Sequence, residues 1–307
     1  MSNSMKEVYT VHQLKSDTGT GQMQCYGVAP GIQISYNNLN MDSCFQPITY
    51  DNDLMEINYC MEGCYEIELA NGSVNFLGEG DLAVSHLSKG NQVFTNSRIP
   101  FKKYRGITIT LGIKLAQKTL NKDFQQAKID LISIKNNLCE NSPSLLIKSR
   151  HEIDYIFSQL YSVNESIQLP FLWIKTIELL LYLGLLDNTC VQRPQQFSAE
   201  VSQGTQAAYQ YIIENPFSNN TIADLSKMFN VAESSMKRCF KSLSGNSIGT
   251  FIKIKRMEAA AELLVAEPKL SIGEIAEIAG YKSQSKFSSA FKSVLGITPF
   301  AYRSKSW

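Results

Sequence analysis

The sequence predicts an α+β protein in which a small β-barrel with C-terminal helices of its own is followed by an all-α domain. Two observations support this prediction. Residues 30–112 contain many short candidate strands separated by glycine-containing turns, which is typical of antiparallel barrels and jelly rolls. Residues 221–303 contain one helical pattern twice. At 307 residues, the chain is long enough for two domains that each bury a core.

The candidate strands of the barrel are bounded by their turns. Asn71-Gly72 predicts a type I′ hairpin turn, which needs a positive φ at both central residues. A second glycine-containing turn is predicted at residues 78–81, and a third at residues 61–64. The strands predicted from these turns are residues 55–60, 65–69, 73–77, 82–87 and 105–111.

The helices predicted for the first domain lie between about residues 114 and 187. Segments 144–161 and 170–186 have apolar residues at helical spacing. Residues 189–204 are polar, contain a proline and lack periodicity, which is typical of a linker. We therefore expect a sensor or dimerisation domain at residues 1–188 and a second domain at residues 205–307.

The second domain is predicted to be helical throughout and to contain a repeat. Ile222 aligns with Ile272 at an offset of 50, and Phe240 aligns with Phe291 at an offset of 51 because the second turn is one residue longer. Each copy predicts a helix-turn-helix, at residues 222–243 and 272–295, with a long helix between them. Because a helix-turn-helix places its second helix in the DNA major groove, two copies predict a chain that reads two grooves.

The apolar spacing of each second helix leaves a polar face free. Met236 and Phe240 are predicted to be buried in the first copy, as Phe287 and Phe291 are in the second. Arg238 has the side chain to contact a guanine in two places, and Gln284 can pair with an adenine. The predicted DNA-binding residues are Ser234, Ser235, Lys237, Arg238, Lys241, Lys282, Gln284, Ser285, Lys286 and Ser289.

The C-terminal residues resemble the signature of the AraC/XylS family of bacterial transcription regulators. The resemblance covers about 100 residues. It rests on Arg256, Ala260, Leu263-Leu264, Ile275-Ala276, Gly280-Tyr281, Ser283, Ser285, Phe287, Phe291-Lys292, Gly296 and Thr298-Pro299-x-x-Tyr302-Arg303. It implies a cupin-like N-terminal sensor barrel with dimerisation helices, double-stranded DNA as partner, a homodimer, a small-molecule effector and a contact with RNA polymerase. Ser289 departs from the family, which often has arginine at this position. The second helix is therefore expected to contribute more to positioning the protein on the DNA than to reading bases.

The sensor prediction requires a choice of which strand face points into the barrel. Burying carboxylates is costly, so the parity that turns Glu66 and Glu68 outward is preferred. An effector with a sizeable apolar or aromatic part is therefore expected. The predicted ligand-binding residues are Ile57, Tyr59, Tyr65 and Ile67, with His86 and Phe101 near the mouth, and the predicted dimer-interface residues are Ile174, Ile177, Leu181 and Leu185.

Two other functions stay open at this stage: a metal-dependent cupin enzyme with a DNA-binding tail, and a ligand-blind dimeric DNA-binding protein. The enzyme is disfavoured because His12, His86 and His151 are the three histidines and form no metal-binding spacing. Cys25 and Cys44 cannot form the zinc cluster that a cysteine-based DNA repair protein needs. We therefore expect no catalytic residues, no metal and no cofactor, and the sign of regulation is left open.

Charge and cysteine usage agree with an intracellular DNA-binding protein. Residues 200–307 contain 13 Lys/Arg and 9 Asp/Glu, whereas the first 199 residues contain 16 and 19, so the basic part is the part with the repeat. Seven cysteines without a CxxC pair favour a reducing compartment. The longest apolar run, residues 177–186, is too short for a membrane span. We expect a cytoplasmic protein without a membrane partner.

Overall fold

The computed structural model describes residues 9–43, 53–88, 94–139, 144–186 and 195–305. The chain divides into two compact units, Met1–Ser198 and Ala199–Trp307. Residues 189–194 of the predicted linker lie outside the described residues. In the described part of that linker Phe197–Ser198 is a strand, and the next helix starts at Ala199. The prediction that residues 199–204 belong to a linker is therefore wrong.

The first unit is built on antiparallel strands that form two connected sheets. Sheet A has the order β1-β2-β3-β8-β4-β6-β9, and in sheet B β4 pairs with β5 and β7 while β10 pairs with β5. The long strand β4 belongs to both sheets, and its register shifts between Cys60 and Glu62. The strands are β1 (Tyr9–Ser16), β2 (Gly19–Ala29), β3 (Ile32–Asn40), β4 (Leu54–Leu69), β5 (Ser73–Gly78), β6 (Leu82–Leu87), β7 (Phe94–Arg98), β8 (Tyr104–Gly112), β9 (Ser144–Ile147) and β10 (Phe197–Ser198).

Four features of the sheets differ from the sequence predictions. Strands β1 and β2 both precede residue 30, and β4 runs without interruption through the turn predicted at 61–64. Residues 144–147 form a strand that pairs with β6 rather than the first turn of a helix. The turn before β5 is not type I′, because Gly72 has a φ of 76° while Asn71 has no positive φ. The Asn71 side chain instead accepts a hydrogen bond from the backbone N–H of Ser73.

Helices cover one face of sheet A and form the main core with it. They are α1 (Ile113–Asp123), α2 (Leu131–Cys139), α3 (His151–Leu160) and α4 (Gln168–Leu185). The aliphatic side chains Ile107, Ile109 and Leu111 of β8 are buried in this core together with Leu179 and Leu183 of α4. Within the described residues, Glu165–Leu185 is the one helical stretch that is long and apolar enough to span a membrane. Its packing in the core accounts for part of that apolar character.

The second unit is helical throughout its described residues. Its helices are α5 (Ala199–Glu214), α6 (Ile222–Met228), α7 (Glu233–Ser244), α8 (Ile248–Ala266), α9 (Ile272–Ile278), α10 (Gln284–Leu295) and α11 (Pro299–Lys305). The long helix α8 contributes to two cores. Its residues Ile248 and Phe251 pack with α5, α6 and α7, whereas Met257 and Leu264 pack with α9 and α10. A single rigid helix therefore connects the two helix pairs.

Candidate functional sites

The first helix pair, α6 and α7, is held by a capping box and a left-handed turn. The Thr221 side chain accepts a hydrogen bond from the N–H of Asp224, whose carboxylate accepts one from the N–H of Thr221. These two bonds satisfy N–H groups that lack partners within the helix. Asn230 has a φ of 52° between the two helices, a conformation that asparagine tolerates. Helix α7 then ends at Gly245, whose φ is 73°.

The second helix pair, α9 and α10, uses the same devices at corresponding positions. Ser271 and Glu274 form its capping box, and Gly280 supplies the positive φ, 75°, in the turn. Helix α10 ends at Gly296 with a φ of 78°. The two pairs therefore match in their start, turn and end. They differ at the start of the second helix, where Ser283 caps α10 with its side chain and Ala232 cannot do so for α7.

Helix α7 presents its predicted polar face to solvent. Met236, Cys239, Phe240 and Leu243 are buried beneath it. Ser234, Lys237, Arg238 and Lys241 are exposed and Ser235 is half-buried. The Lys237 amine lies 3.1 Å from the Glu233 carboxylate, while within the described residues Arg238 and Lys241 form no ion pair. Two cationic side chains thus remain available on one side of the helix.

Helix α10 also buries its aromatic residues and exposes its polar ones. Phe287 and Phe291 are buried. Gln284, Ser285, Lys286 and Ser289 are exposed, as is Lys282 in the turn before the helix. The predicted residues of this copy therefore share one solvent-facing surface, which has fewer long cationic side chains than α7.

Polar contacts made by α8 fix the two helix pairs relative to each other. The Arg256 guanidinium donates to the backbone oxygens of Pro216, at 3.3 Å, and Ser218, at 2.7 Å, in the segment before α6. The Lys253 amine donates to Ser293 Oγ of α10 at 2.8 Å. Arg256 was identified by its match to a family signature, and its contacts give it a structural role.

The face of sheet A opposite the helices lines the space between the two sheets, and we call it the interior face. The Tyr104 hydroxyl donates to Asn58 Oδ1 at 2.7 Å, and the Asn37 amide donates to Thr108 Oγ1 at 2.8 Å. Gly106 leaves room for Tyr104, because a Cβ there would lie 2.3 Å from the tyrosine oxygen. The inward positions of β3, β4, β6 and β8 in this sheet include Ser35, Asn37, Glu56, Asn58, Ser85, Thr108 and Thr110.

Two of the four strand residues predicted to point into the barrel do not lie on the interior face. Ile57 and Tyr59 belong to the helix-packed core, where the Tyr59 ring stacks on Phe157 with centroids 4.2 Å apart. The prediction that they point inward is wrong. The register shift between Cys60 and Glu62 reverses the alternation along β4, so Tyr65 and Ile67 do share a face with the inward residues Leu77 and Asn75.

The two residues predicted at the mouth lie elsewhere. His86 contacts the Asp53 carboxylate and lines a groove of about 970 Å³ formed mainly by α2 and α4. It therefore lies on the helix side of sheet A, which corrects its predicted place at the barrel mouth. Phe101 is half-buried in the turn between β7 and β8.

Glu66 and Glu68 lie on the opposite face from Tyr65 and Ile67, as expected, but another carboxylate, that of Glu56, lies on the interior face of sheet A. Burial raises the pKa of Glu56 to about 7. Its side chain is nevertheless partly exposed to solvent. The sequence prediction turned Asn58 outward because it placed the other face of β4 inside the barrel to keep carboxylates out, and it made no prediction for Asn37 of β3 or Thr108 of β8. The alternation of polar residues in β8, Thr108 and Thr110 between Ile107, Ile109 and Leu111, was the available signal.

Helix α4 divides its apolar residues between a buried and an exposed face. Ile177 is buried in the main core with 7% of its surface exposed, which corrects its assignment to a dimer interface. Ile174, Leu181 and Leu185 expose 60%, 43% and 86% of their surfaces. Ile167, just before the helix, is 52% exposed and lies seven residues before Ile174. These four residues form an apolar stripe along one side of the helix.

The described residues offer little for metal or thiol chemistry. They contain no group of three or more His, Cys, Asp or Glu side chains that could hold a metal ion. Cys60 and Cys64 are buried free thiols, and burial raises the pKa of both well above that of an exposed thiol. A raised pKa disfavours the reactive thiolate. Cys44, considered above for a zinc cluster, lies outside the described residues.

Comparisons with known proteins give regulatory relatives. A family model for a helix-turn-helix domain matches residues 225–305. The raffinose operon transcriptional regulatory protein RafR of Pediococcus pentosaceus is 27% identical over 269 residues, which cover 85% of this chain and 90% of that protein. The Msm operon regulatory protein of Streptococcus mutans is 27% identical over 156 residues, 48% of this chain and 55% of that protein. The solved C-terminal domain of AraT, a response regulator from Geobacillus stearothermophilus, is 36% identical over 34% of this chain and 87% of that domain, with a TM-score of 0.32.

Proposed function

Because the chain belongs to the AraC/XylS family of transcription regulators, we propose that its second unit inserts two helices into two major grooves of one DNA duplex. As a member of that family the chain is a DNA-binding regulator of transcription and not an enzyme. The observation that carries the proposal is the repeat: each helix pair has its own capping box, left-handed turn residue and C-terminal glycine. Because the second helix pair repeats the capping box, the turn residue and the C-terminal glycine of the first, we propose that each pair is a helix-turn-helix motif.

Helix α7 is proposed as the helix that reads bases. Arg238 is exposed near its N-terminal half, and a guanidinium can donate two hydrogen bonds to one guanine. Lys241 lies one turn further along, where a lysine suits a phosphate contact. Helix α10 offers Gln284, Ser285 and Lys286 in its first turn, so its proposed role is one adenine contact and positioning on the backbone.

The length of α8 supports simultaneous binding of both helices. With 19 residues and a rise of about 1.5 Å per residue, the helix spans about 28 Å. Successive major-groove segments on one side of B-DNA are about 34 Å apart. Because α7 and α10 pack near opposite ends of α8, the proposed separation is close to one turn of DNA.

The first unit is proposed as a ligand-responsive, cupin-like sensor that also forms the homodimer. The exposed apolar stripe Ile167, Ile174, Leu181 and Leu185 on α4 supports the dimer, because monomeric surfaces rarely keep such a stripe in water. A small-molecule effector would change DNA affinity through a difference in its contacts with two arrangements of the protein. Contact of the DNA-bound dimer with RNA polymerase is part of the same proposal.

The proposal is tested by selecting genomic fragments with the purified full-length chain and measuring their affinity by fluorescence anisotropy. We expect a small set of enriched sites that bind at least about 10³-fold more tightly than random DNA. Equal affinity for selected and random fragments would rule out sequence-specific regulation. A ligand-blind dimer, the remaining alternative, would bind these sites with an affinity that no small molecule changes.

A further inference from the structure

The first residues of α7 and α10 occupy the same place in the repeat. Phe240 aligns with Phe291 at an offset of 51, and the same offset aligns Glu233, the first residue of α7, with Gln284, the first residue of α10. Both Glu233 and Gln284 are exposed. Because the residue at this position of α10 is proposed above to contact an adenine, Glu233 lies at the position from which α7 would reach a base.

Glu233 begins a row of charged side chains along α7. Lys237 and Lys241 follow it at intervals of four residues, which places the three on one side of the helix. The Glu233 carboxylate lies 3.1 Å from the Lys237 amine, and 47% and 51% of the two side chains are exposed. The contact holds the carboxylate in place and leaves part of it open to a ligand. The other charged residues of α7 are all cationic.

A carboxylate on a DNA-binding helix has few partners on the duplex. It accepts hydrogen bonds and donates none, and it is repelled by phosphates, so Glu233 does not add to the sequence-independent part of the affinity. In the major groove guanine and thymine also present acceptors. Adenine presents its amino group beside the N7 acceptor, which suits an amide. The N4 amino group of cytosine is the donor that suits a carboxylate.

A purely structural role for Glu233 leaves this repulsion without compensation. An acidic residue in the first turn stabilises a helix through the helix dipole, and Ala232 gives α7 no side-chain cap. That stabilisation is the same for every DNA sequence and does not offset the electrostatic cost of a carboxylate near phosphates. A donor on a base edge offsets the cost at one sequence only, which makes the carboxylate a source of specificity.

Glu233 and Arg238 are far enough apart on α7 to contact different base pairs. Their positions differ by five residues, which at a rise of about 1.5 Å per residue is about 7.5 Å along the helix. Successive bases on one DNA strand are about 3.4 Å apart. Replacing one of these side chains should therefore leave the preference that depends on the other.

We propose that Glu233 determines specificity by accepting a hydrogen bond from the N4 amino group of a cytosine, and that Lys237 is a positioning residue that holds the carboxylate. This inference rests on the proposed insertion of α7 into the major groove and names a base that the helix selects. Discrimination has two sources: cytosine supplies the donor, whereas guanine or thymine places an acceptor against the carboxylate.

The test measures the base preferences of the full-length chain on a selected site and on random DNA. Each base pair of the α7 half of the site is replaced in turn by the other three, and fluorescence anisotropy gives the Kd for every site. The wild type should prefer cytosine at one position by about tenfold over guanine or thymine. Glu233→Gln should transfer this preference to adenine, whose N6 and N7 pair with an amide. It should also tighten binding to random DNA, because a negative charge is removed.

Two further variants serve as controls. Glu262→Gln removes the same charge from an exposed position of α8, a helix that is not proposed to enter the DNA, and should leave every base preference unchanged. Lys237→Gln keeps the carboxylate of Glu233 but no longer holds it. It should lower the cytosine preference by about twofold, the contribution of an i,i+4 ion pair, without transferring the preference to adenine.

The outcomes separate this inference from the proposed function. Base preferences that are the same in Glu233→Gln and the wild type would overturn it, as would an equal loss of affinity on cognate and random DNA. Simultaneous loss of the preference that depends on Arg238 would give Glu233 a structural role and overturn it too. A cytosine preference that is unchanged in Lys237→Gln would remove the positioning role. A chain that selects no DNA sites would lose the proposed function itself.

Discussion

Arg238 and Lys241 lie one helical turn apart on the exposed side of α7, and they are expected to contribute to DNA binding in different ways. Replacing Arg238 with alanine should cost about 1–3 kcal/mol on the cognate site and relax the preference at one base pair. The reason is that a guanidinium reads a base edge with two hydrogen bonds. Fluorescence anisotropy on the cognate site and its single-base variants measures both effects.

Lys241→Ala is the matched comparison on the same helix. A phosphate contact has no sequence information, so its loss should weaken all sequences similarly and lower the salt dependence by about one counter-ion. Equal losses for Arg238→Ala on cognate and random DNA would remove Arg238 from the base-reading residues.

Glu56 gives the first unit a pH-dependent stability. Its pKa is raised from 4.5 to about 7 by burial, so the folded state holds a proton that the unfolded state releases. The resulting stability is fully present below about pH 4.5 and is lost as the pH rises through 7. Glu56→Gln imitates the protonated form. It should lie within about 1 kcal/mol of the wild type at pH 5 and exceed it at pH 8.5 by up to about 3 kcal/mol.

Urea unfolding at the two pH values, followed by tryptophan fluorescence, measures this difference. Glu68→Gln is the control, because its carboxylate has the same chemistry and does not lie on the interior face of sheet A. A Glu56→Gln variant with an unchanged pH slope would mean that Glu56 ionises freely in the folded protein.

At this scale the sequence predicted which residues of α7 and α10 are exposed better than which residues lie on the interior face of sheet A. The exposed residues of α7 and α10 follow from helical spacing alone, because each lies opposite a buried aromatic residue. The side of β4 on which Ile57 and Tyr59 lie depends on the register shift at Cys60–Glu62. Such a shift depends on the partner strands, which local sequence does not specify.

The capping boxes at Thr221 and Ser271 should stabilise the two helix pairs to similar extents. Thr221→Ala and Ser271→Ala each remove a side-chain acceptor for an unpaired N–H, which costs about 1 kcal/mol. The pKa values of Asp224 and Glu274 are lowered by their hydrogen bonds to these caps. The caps should therefore weaken as the pH falls through those lowered pKa values.

Thermal unfolding monitored by circular dichroism measures the cost of each substitution. Ser242→Ala, inside α7, is the control and should change stability by less than about 0.5 kcal/mol. If both cap variants matched Ser242→Ala, the boxes would contribute nothing to the stability of the unit.

Substitutions on the exposed and buried faces of α4 distinguish a dimer interface from core packing. Leu185→Glu and Leu181→Glu change exposed positions and should give folded monomers, because a charge prevents the burial of the apolar stripe. Ile177→Glu should unfold the first unit, since it buries a charge in the main core. Multi-angle light scattering and circular dichroism measure mass and fold. Folded Leu181→Glu and Leu185→Glu proteins of unchanged mass would move the interface to another surface.

The elements that the sequence predicted correctly are those with a local signal. Side-chain caps begin α6, α8, α9 and α10, and glycines end α7 and α10. Strand β1 was missed because it is exposed along almost its whole length and so lacks the alternation of a half-buried strand. Strand β9 was predicted as part of a helix because Leu145, Leu146 and Ile147 form a short apolar run, which fits either structure. Its partner β6 is distant in sequence.

For the whole molecule, the division into two units predicts that the second one is independent. A fragment of residues 199–307 contains both helix pairs and the two cores that share α8. It should fold alone and bind the cognate site more weakly than the full chain, because it lacks the proposed dimer contacts. Circular dichroism and anisotropy measure this. A fragment starting at residue 205 is the control, and it should be less stable because it lacks the first six residues of α5.

The claim that two helices of one chain enter two grooves is tested most directly by chemical footprinting of a selected site with the 199–307 fragment. The expected result is two contacted major-groove segments about 10 base pairs apart. Arg238→Ala should remove contacts in one segment, and the double variant Gln284→Ala, Lys286→Ala should remove contacts in the other. A single contacted segment that is affected by Arg238→Ala and unchanged in the α10 variant would contradict the account, because α10 would then not enter the DNA.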